Sequence, residues 1–157
     1  MMEVLDACIE AGHPVAWGTD VSEKGFSRQK AIAVIPEVVE KNTIGSDAEH
    51  WGKLSDAEKQ AMINNLEGPM KEKTITQQMR QEAYDNYQTT DDHGMVIVGT
   101  ATDQAGNPFY KVQNSWGENG PYKGFYYFSR PFVEYKTMDI MVNKNLIPKD
   151  IKKKMGL

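Results

Sequence analysis

Only one cysteine, Cys8, and three histidines occur among the 157 residues. A single thiol excludes an internal disulfide, and Cys8 lies on the apolar side of a helix-patterned stretch, the usual setting of a buried free cysteine. Long apolar runs are lacking too: none reaches the ~18 residues that a membrane span needs. No basic segment followed by an apolar run opens the sequence, so neither a signal peptide nor a membrane partner is expected, and the expected compartment is cytoplasmic. Positive charge is also in short supply. Eighteen Lys and Arg stand against 22 Asp and Glu, a formal charge of −4. That balance argues against nucleic acid as a partner, because phosphate binding rests on basic surface. The one basic cluster, Lys149 to Lys154, falls near the end of the sequence and reads as a solvated tail or helix.

What is present fits one globular domain over residues 1–157, with 39% apolar and 25% charged residues and enough length for an ordinary core. Met1 to Ala11 carries apolar residues at helical spacing, Gly12 suits the stop, and His13-Pro14 forces an extended chain. Val15 to Asp20 reads as a strand, completing an N-terminal helix-and-strand unit over 1–21, and Ser22 to Gln29 as a polar loop. A helical insertion is expected over about 28–90. Ser55 opens a capping box there, and Thr74 or Thr76 caps a helix through QQMRQEAYDNY. An antiparallel β region covers 91–145, with strands HGMVIVGTA, PFYKVQNS, GFYYFSR and TMDIMVNK. Asp103 to Asn107 turns the first hairpin, Pro131 to Lys136 is a short connection, and 146–157 is a tail. The fold class is α+β.

Two short stretches carry the chemistry. Asp92-His93-Gly94-Met95-Val96-Ile97-Val98-Gly99 opens one strand of the hairpin, and Gln113-Asn114-Ser115-Trp116-Gly117 closes the other. Pairing across a turn at Gln104 to Asn107 brings His93 and Asn114 to the same end of the ladder. An imidazole held by a neutral amide suits thiol-based peptide hydrolysis. The ring stabilises a thiolate and later protonates the leaving amine, while the amide fixes its tautomer without adding charge.

Both stretches resemble the histidine and asparagine motifs of papain-like cysteine peptidases. Gly12-His13-Pro14-Val15-Ala16-Trp17-Gly18-Thr19-Asp20-Val21 and the ending Asn143-Lys144-Asn145-Leu146-Ile147-Pro148 are similar to the bleomycin hydrolase and aminopeptidase C branch. The resemblance implies the antiparallel β-barrel-like half of that fold, with helical insertions. It further implies a thiol protease of aminopeptidase type acting in proteolysis on a peptide substrate, with no cofactor and no metal. By the same match His93 is the general acid/base and Asn114 its orienting partner. Trp116 covers the asparagine and Asp92 lines the cleft beside the histidine.

The family's nucleophilic motif has no counterpart here, and Cys8 reads as a core residue. The cysteine is therefore expected on a missing N-terminal half, and this chain alone is expected to be inactive. The competing reading is a non-enzymatic module that keeps the barrel and binds peptides or a partner. An uncovered cleft face is expected to be apolar and to make a homo-oligomer. Asp91-Asp92-His93 as a metal site lacks further ligands at suitable spacing, since His13 and His50 sit in unrelated contexts. Gly117, Gly120 and Gly124 open no helix and read as a loop with unusual backbone angles, not a phosphate cradle. The aromatic run Phe125 to Phe128, with Tyr122, is expected to alternate between core and rim. The tail is open to two readings: a surface helix, or the cleft plug that the resemblance implies.

Overall fold

The computed structural model describes residues 1–37 and 54–157. Helix α1 (Met2–Glu10) buries Val4, Leu5 and Cys8, and the chain turns out of it at Gly12, whose φ is 77°. Strand β1 (Val15–Thr19) alternates burial along its length. The other strands are β2 (Phe26–Ser27), β3 (Ile32–Ala33), β4 (His93–Thr102), β5 (Pro108–Gln113), β6 (Phe125–Ser129) and β7 (Thr137–Met141). They form one sheet in the order β2-β3-β6-β5-β4-β1-β7. Among the described strands, β3 and β6 alone pair in parallel. With its helices this is an α+β fold.

The sheet curls like a barrel wall. Strands β1 and β6 are three positions apart, which in a flat sheet is roughly 14 Å. Yet the rings of Trp17 on β1 and Phe128 on β6 meet edge to face with centroids 4.9 Å apart. Leu5, Val15, Ile97, Val112 and Phe132 fill the space inside the curl. On β6 the aromatic run alternates as expected, with Tyr126 and Phe128 buried and Phe125 and Tyr127 half-buried.

Register in the central hairpin is uneven. From the turn inward, Thr102 pairs with Pro108 and Thr100 with Tyr110; beyond a one-residue shift between Ile97 and Gly99, Ile97 pairs with Val112 and Val96 with Gln113. Val98 is left over, as in a β-bulge. Neighbouring residues point to opposite faces of a strand, so the shift exchanges faces. Met95 and Ile97 enter the main core, whereas Ala101 packs against a second cluster of Val34, Ile63 and Phe109.

Several expectations need correction. Residues 28–37 are not helical: β3 lies there, tied to β2 and β6, because Ala33, Val34 and Ile35 are buried on a sheet edge. The described part of the expected insertion holds two nine-residue helices, α2 (Asp56–Asn64) and α3 (Gln77–Asp85). Ser55 caps α2 with a complete capping box, and Thr76, not Thr74, caps α3. His50 lies outside the described residues. The connection at Pro131 to Lys136 is a helix, α4 (Arg130–Lys136), with Ser129 as N-cap and a proline in its first turn. The ending forms a short exposed helix, α5 (Lys149–Met155), closed by left-handed Gly156. No described helix is long and apolar enough to cross a membrane.

One half-buried carboxyl joins the two sides of this fold. Glu72 Oε2 accepts from Ile35 N at 2.6 Å and from Ser129 Oγ at 2.5 Å. Burial outweighs these bonds and pushes its pKa up to about 7 from 4.5. A raised folded-state value favours the native state most below the unfolded value, and that contribution disappears as pH rises through the folded one. Parent stability should therefore fall between pH 4.5 and 7 on account of this group. Glu72→Gln should flatten that slope, so the Tm of the variant relative to the parent is expected to rise between pH 5 and pH 8 in thermal melts.

Candidate active site

His93 opens β4 opposite Thr19 of β1, and Asn114 follows the last residue of β5. The one-residue shift at Val98 sets both on the same face, since continuation of the shifted register puts Asn114 opposite Met95. Nε2 of His93 lies 2.8 Å from Oδ1 of Asn114. A backbone N–H fixes the orientation of the amide. Ser115 N donates to the same Asn114 atom at 2.7 Å, and only the oxygen can accept. The ring nitrogen facing that oxygen must then be the donor. Neutral His93 is thus the Nε2–H tautomer, and Nδ1 remains for exchanging a proton.

Trp116 lies over the pair, its ring centroid 4.7 Å from that of His93. The guanidinium of Arg28 stacks on the same indole at 4.3 Å, and Phe26 and Tyr126 meet it edge-on. These contacts hold a half-exposed tryptophan against the histidine. Asn114 is only 7% exposed, and its Nδ2 has no hydrogen-bond partner among the described residues. A buried donor without a partner costs roughly 1–3 kcal/mol. Such a residue is kept for something other than stability.

An open cleft of about 850 Å³ borders the pair, lined by Asp91, Asp92, Gly18, Gly94, Asp139 and Met141 among others. Asp92 sits at its rim, where Oδ1 accepts from Val21 N at 2.9 Å. No residue beyond Met141 lines the cleft, so the tail helix α5 is not a plug in it. Cys8 is elsewhere, 1% exposed in the main core, and burial pushes its thiol pKa up. His13 is exposed at the turn after α1. Among the described residues no three His, Cys, Asp or Glu side chains gather to hold a metal ion.

The loop from Ser115 to Gly124 holds Asn114 in place. Gly117, Gly120 and Gly124 all have positive φ, as the loop's composition requires. Gly124 O accepts from Asn114 N at 3.0 Å, and Gly124 N donates to Asn119 O at 2.7 Å. Arg28 was not apparent from the sequence, because the polar loop that carries it has no periodicity to show that its guanidinium lands on Trp116. Only the β2–β3 turn brings it there.

Residues 73–156 match the profile described as the Peptidase C1-like family, more than half of the chain. The chain belongs to that family. Within it, a 62-residue stretch is 34% identical to aminopeptidase C of Lactobacillus helveticus, covering 40% of this chain and 14% of that protein. A 58-residue stretch is 33% identical to aminopeptidase G of Lactobacillus delbrueckii subsp. lactis, covering 37% and 13%. The crystal structure of PepW from Lactobacillus rhamnosis HN001 superposes with a TM-score of 0.60 at 23% identity, covering 99% of this chain and 29% of that one. That likeness shows the fold. The chain spans under a third of PepW, and its matches to the aminopeptidases span about a seventh of their length.

A Cβ at Gly124 would lie 2.5 Å from Gly117 O, at a φ of 86°. Gly124→Ala should lower stability by more than the ~1–2 kcal/mol of a left-handed alanine alone. Denaturant unfolding of parent and variant measures the difference.

Proposed function

We propose that this chain supplies the histidine–asparagine half of a thiol peptidase site. The hydrogen bond between His93 Nε2 and Asn114 Oδ1, with its direction fixed by Ser115 N, carries the reading. It leaves Nδ1 free to take the proton of a cysteine thiol. The thiolate then attacks a peptide carbonyl and forms an acyl-enzyme, and the imidazolium returns its proton to the leaving amine. Water activated by the same nitrogen hydrolyses the thioester and frees the thiol. Asn114 keeps the ring turned correctly through both half-reactions, and Trp116 shields that bond from water.

Cys8 cannot serve as the nucleophile while it lies in the core. The thiol is supplied by a partner half outside these 157 residues, seated on the cleft face. The names of the relatives, aminopeptidases C and G, favour short peptides cleaved next to the amino terminus. A peptide-binding module without chemistry is the rival. The buried, unpartnered Nδ2 of Asn114 disfavours it, since binding gives no reason to keep a carboxamide there.

Supplying a family half that bears the nucleophilic cysteine motif, in trans or fused before Met1, should yield thiol-dependent aminopeptidase turnover. His93→Ala should lower kcat by roughly 10²-fold or more, the usual share of a positioned acid–base residue. Turnover unaffected by His93→Ala would overturn the assignment. Met141 is 75% exposed beside the cleft, so without the partner half the chain should self-associate through this face. Light scattering across a concentration series is expected to show dimers that disperse in Met141→Lys.

A further inference from the structure

We propose that Lys136 is a positioning residue for His93. This rests on His93 being the proton-exchanging group, but the contacts that carry it lie outside the cleft. A lysine in the last turn of a helix is ordinarily solvated, where it favours the helix dipole. Lys136 is instead 3% exposed.

Its ammonium has three protons and three acceptors. Nζ lies 3.0 Å from Gln88 O and 3.1 Å from Thr89 Oγ1, and 3.1 Å from Glu23 Oε2. Asp20, itself 1% exposed, adds a second negative charge at 3.7 Å. Asp20 is committed in turn: Oδ2 accepts from Thr90 N at 3.1 Å, and Oδ1 from the N–H and hydroxyl of Ser22. The cluster therefore grips residues 88–90, the segment that runs directly into His93.

A second connection comes through the backbone. Lys136 O accepts from Thr19 Oγ1 at 2.9 Å and from Asp20 N at 3.3 Å. Thr19 is the residue opposite His93 in the β1–β4 ladder, and its carbonyl accepts from Asp92 N at 3.2 Å. One residue thus fixes both the path into His93 and the strand across from it. Stability is a poor account of this arrangement. Buried ion pairs commonly do no better than apolar side chains of similar size, because desolvation cancels their attraction. What an apolar side chain cannot do is hold the Gln88 carbonyl and the Thr89 hydroxyl at fixed points.

Ring tautomers give a readout that turnover does not enter. The full chain, labelled with 15N-histidine and held in alkaline buffer, reports the Nε2–H to Nδ1–H ratio of His93 in long-range NMR spectra. A His93→Gln spectrum assigns the signal. The parent is expected to be almost wholly Nε2–H. Lys136→Met should reduce the ratio about five-fold, the weight of one ordinary hydrogen bond. Ile63→Ala, which opens a cavity in the second cluster, should lower Tm and leave the ratio alone. Should Lys136→Met not fold, Thr89→Val removes a single acceptor and should move the ratio roughly two-fold in the same direction. An unmoved ratio in whichever of these variants folds overturns the proposal. So does an equal movement in Ile63→Ala. A shifted ratio in a chain whose reconstituted form has no turnover would sustain the positioning role while removing the peptidase reading, so the two fail separately.

Discussion

One unpaired residue in one strand decides whether this molecule has a site. If the register set by the β4–β5 turn continued unbroken, Val96 would stand opposite Asn114, and His93, an odd number of residues away, would point to the other face. The shift between Ile97 and Gly99 reverses that parity and brings His93, Met95, Ile97 and Asn114 to one side. The cost is visible nearby: Val98 is 38% exposed, a poor use of a β-branched apolar side chain. Hydrophobic burial pins the shift, because Ile97 and Val112 are both fully buried as partners across it. Removing the irregularity would turn Ile97 out of the core along with turning the histidine away from the amide. Core and site are therefore specified by the same slip, and neither can drift without the other.

Around that slip, the polar groups form a graded series. Lys136 is buried, and its ammonium is fully occupied by partners from distant parts of the chain. Asn114 is buried and only half satisfied. His93 is half-buried, with one nitrogen committed to Asn114. Satisfaction falls as the cleft is approached, which is the order expected when outer groups fix geometry and inner ones are left able to react. Rings of Trp116, Phe26 and Tyr126 complete the support from the barrel side. Strand β4 carries the imidazole, and the loop after β5 supplies the amide and the indole that hold it.

The sequence told more about the site than about the sheet. His93 and Asn114 could be placed together because a hairpin is a local structure and its turn residues are explicit. Pairing across the turn gives the right end of the ladder, but nothing in HGMVIVGTA marks Val98 as the surplus residue that sets both side chains on one face. The parallel β3–β6 contact joins Ile32 to Tyr127 and Ala33 to Phe128, and two-residue strands that far apart leave no periodic signal. Helix α4 was hidden for another reason. Its seven residues include Phe132, Val133 and Tyr135, which individually favour strands, and only the Ser129 cap and the early proline announce a helix. Lys136 could not be recognised as buried, since its partners lie some 50 and 115 residues away.

On the proposed reading, a division of labour lets one folded unit hold the histidine and the asparagine while another holds the thiol. Histidine and asparagine need a fixed mutual geometry, and a single curled sheet supplies it because both side chains belong to adjacent strands. A nucleophilic thiol needs a different environment, one whose field lowers its pKa. Cys8, buried among Leu5, Val15 and Ile97, is in the opposite setting, where its pKa is pushed up. An apolar core that raises a thiol's pKa cannot also activate it, so the interior that makes this sheet stable excludes the nucleophile from it. On the proposed reading, activation comes from a surface facing Nδ1 of His93 across the open cleft. The cleft is open, and Gly18, Gly94 and three aspartates share its lining with Trp17, Met95 and Met141. The proposed placement of the chemistry at the meeting of two surfaces answers these conflicting demands of thiol and core.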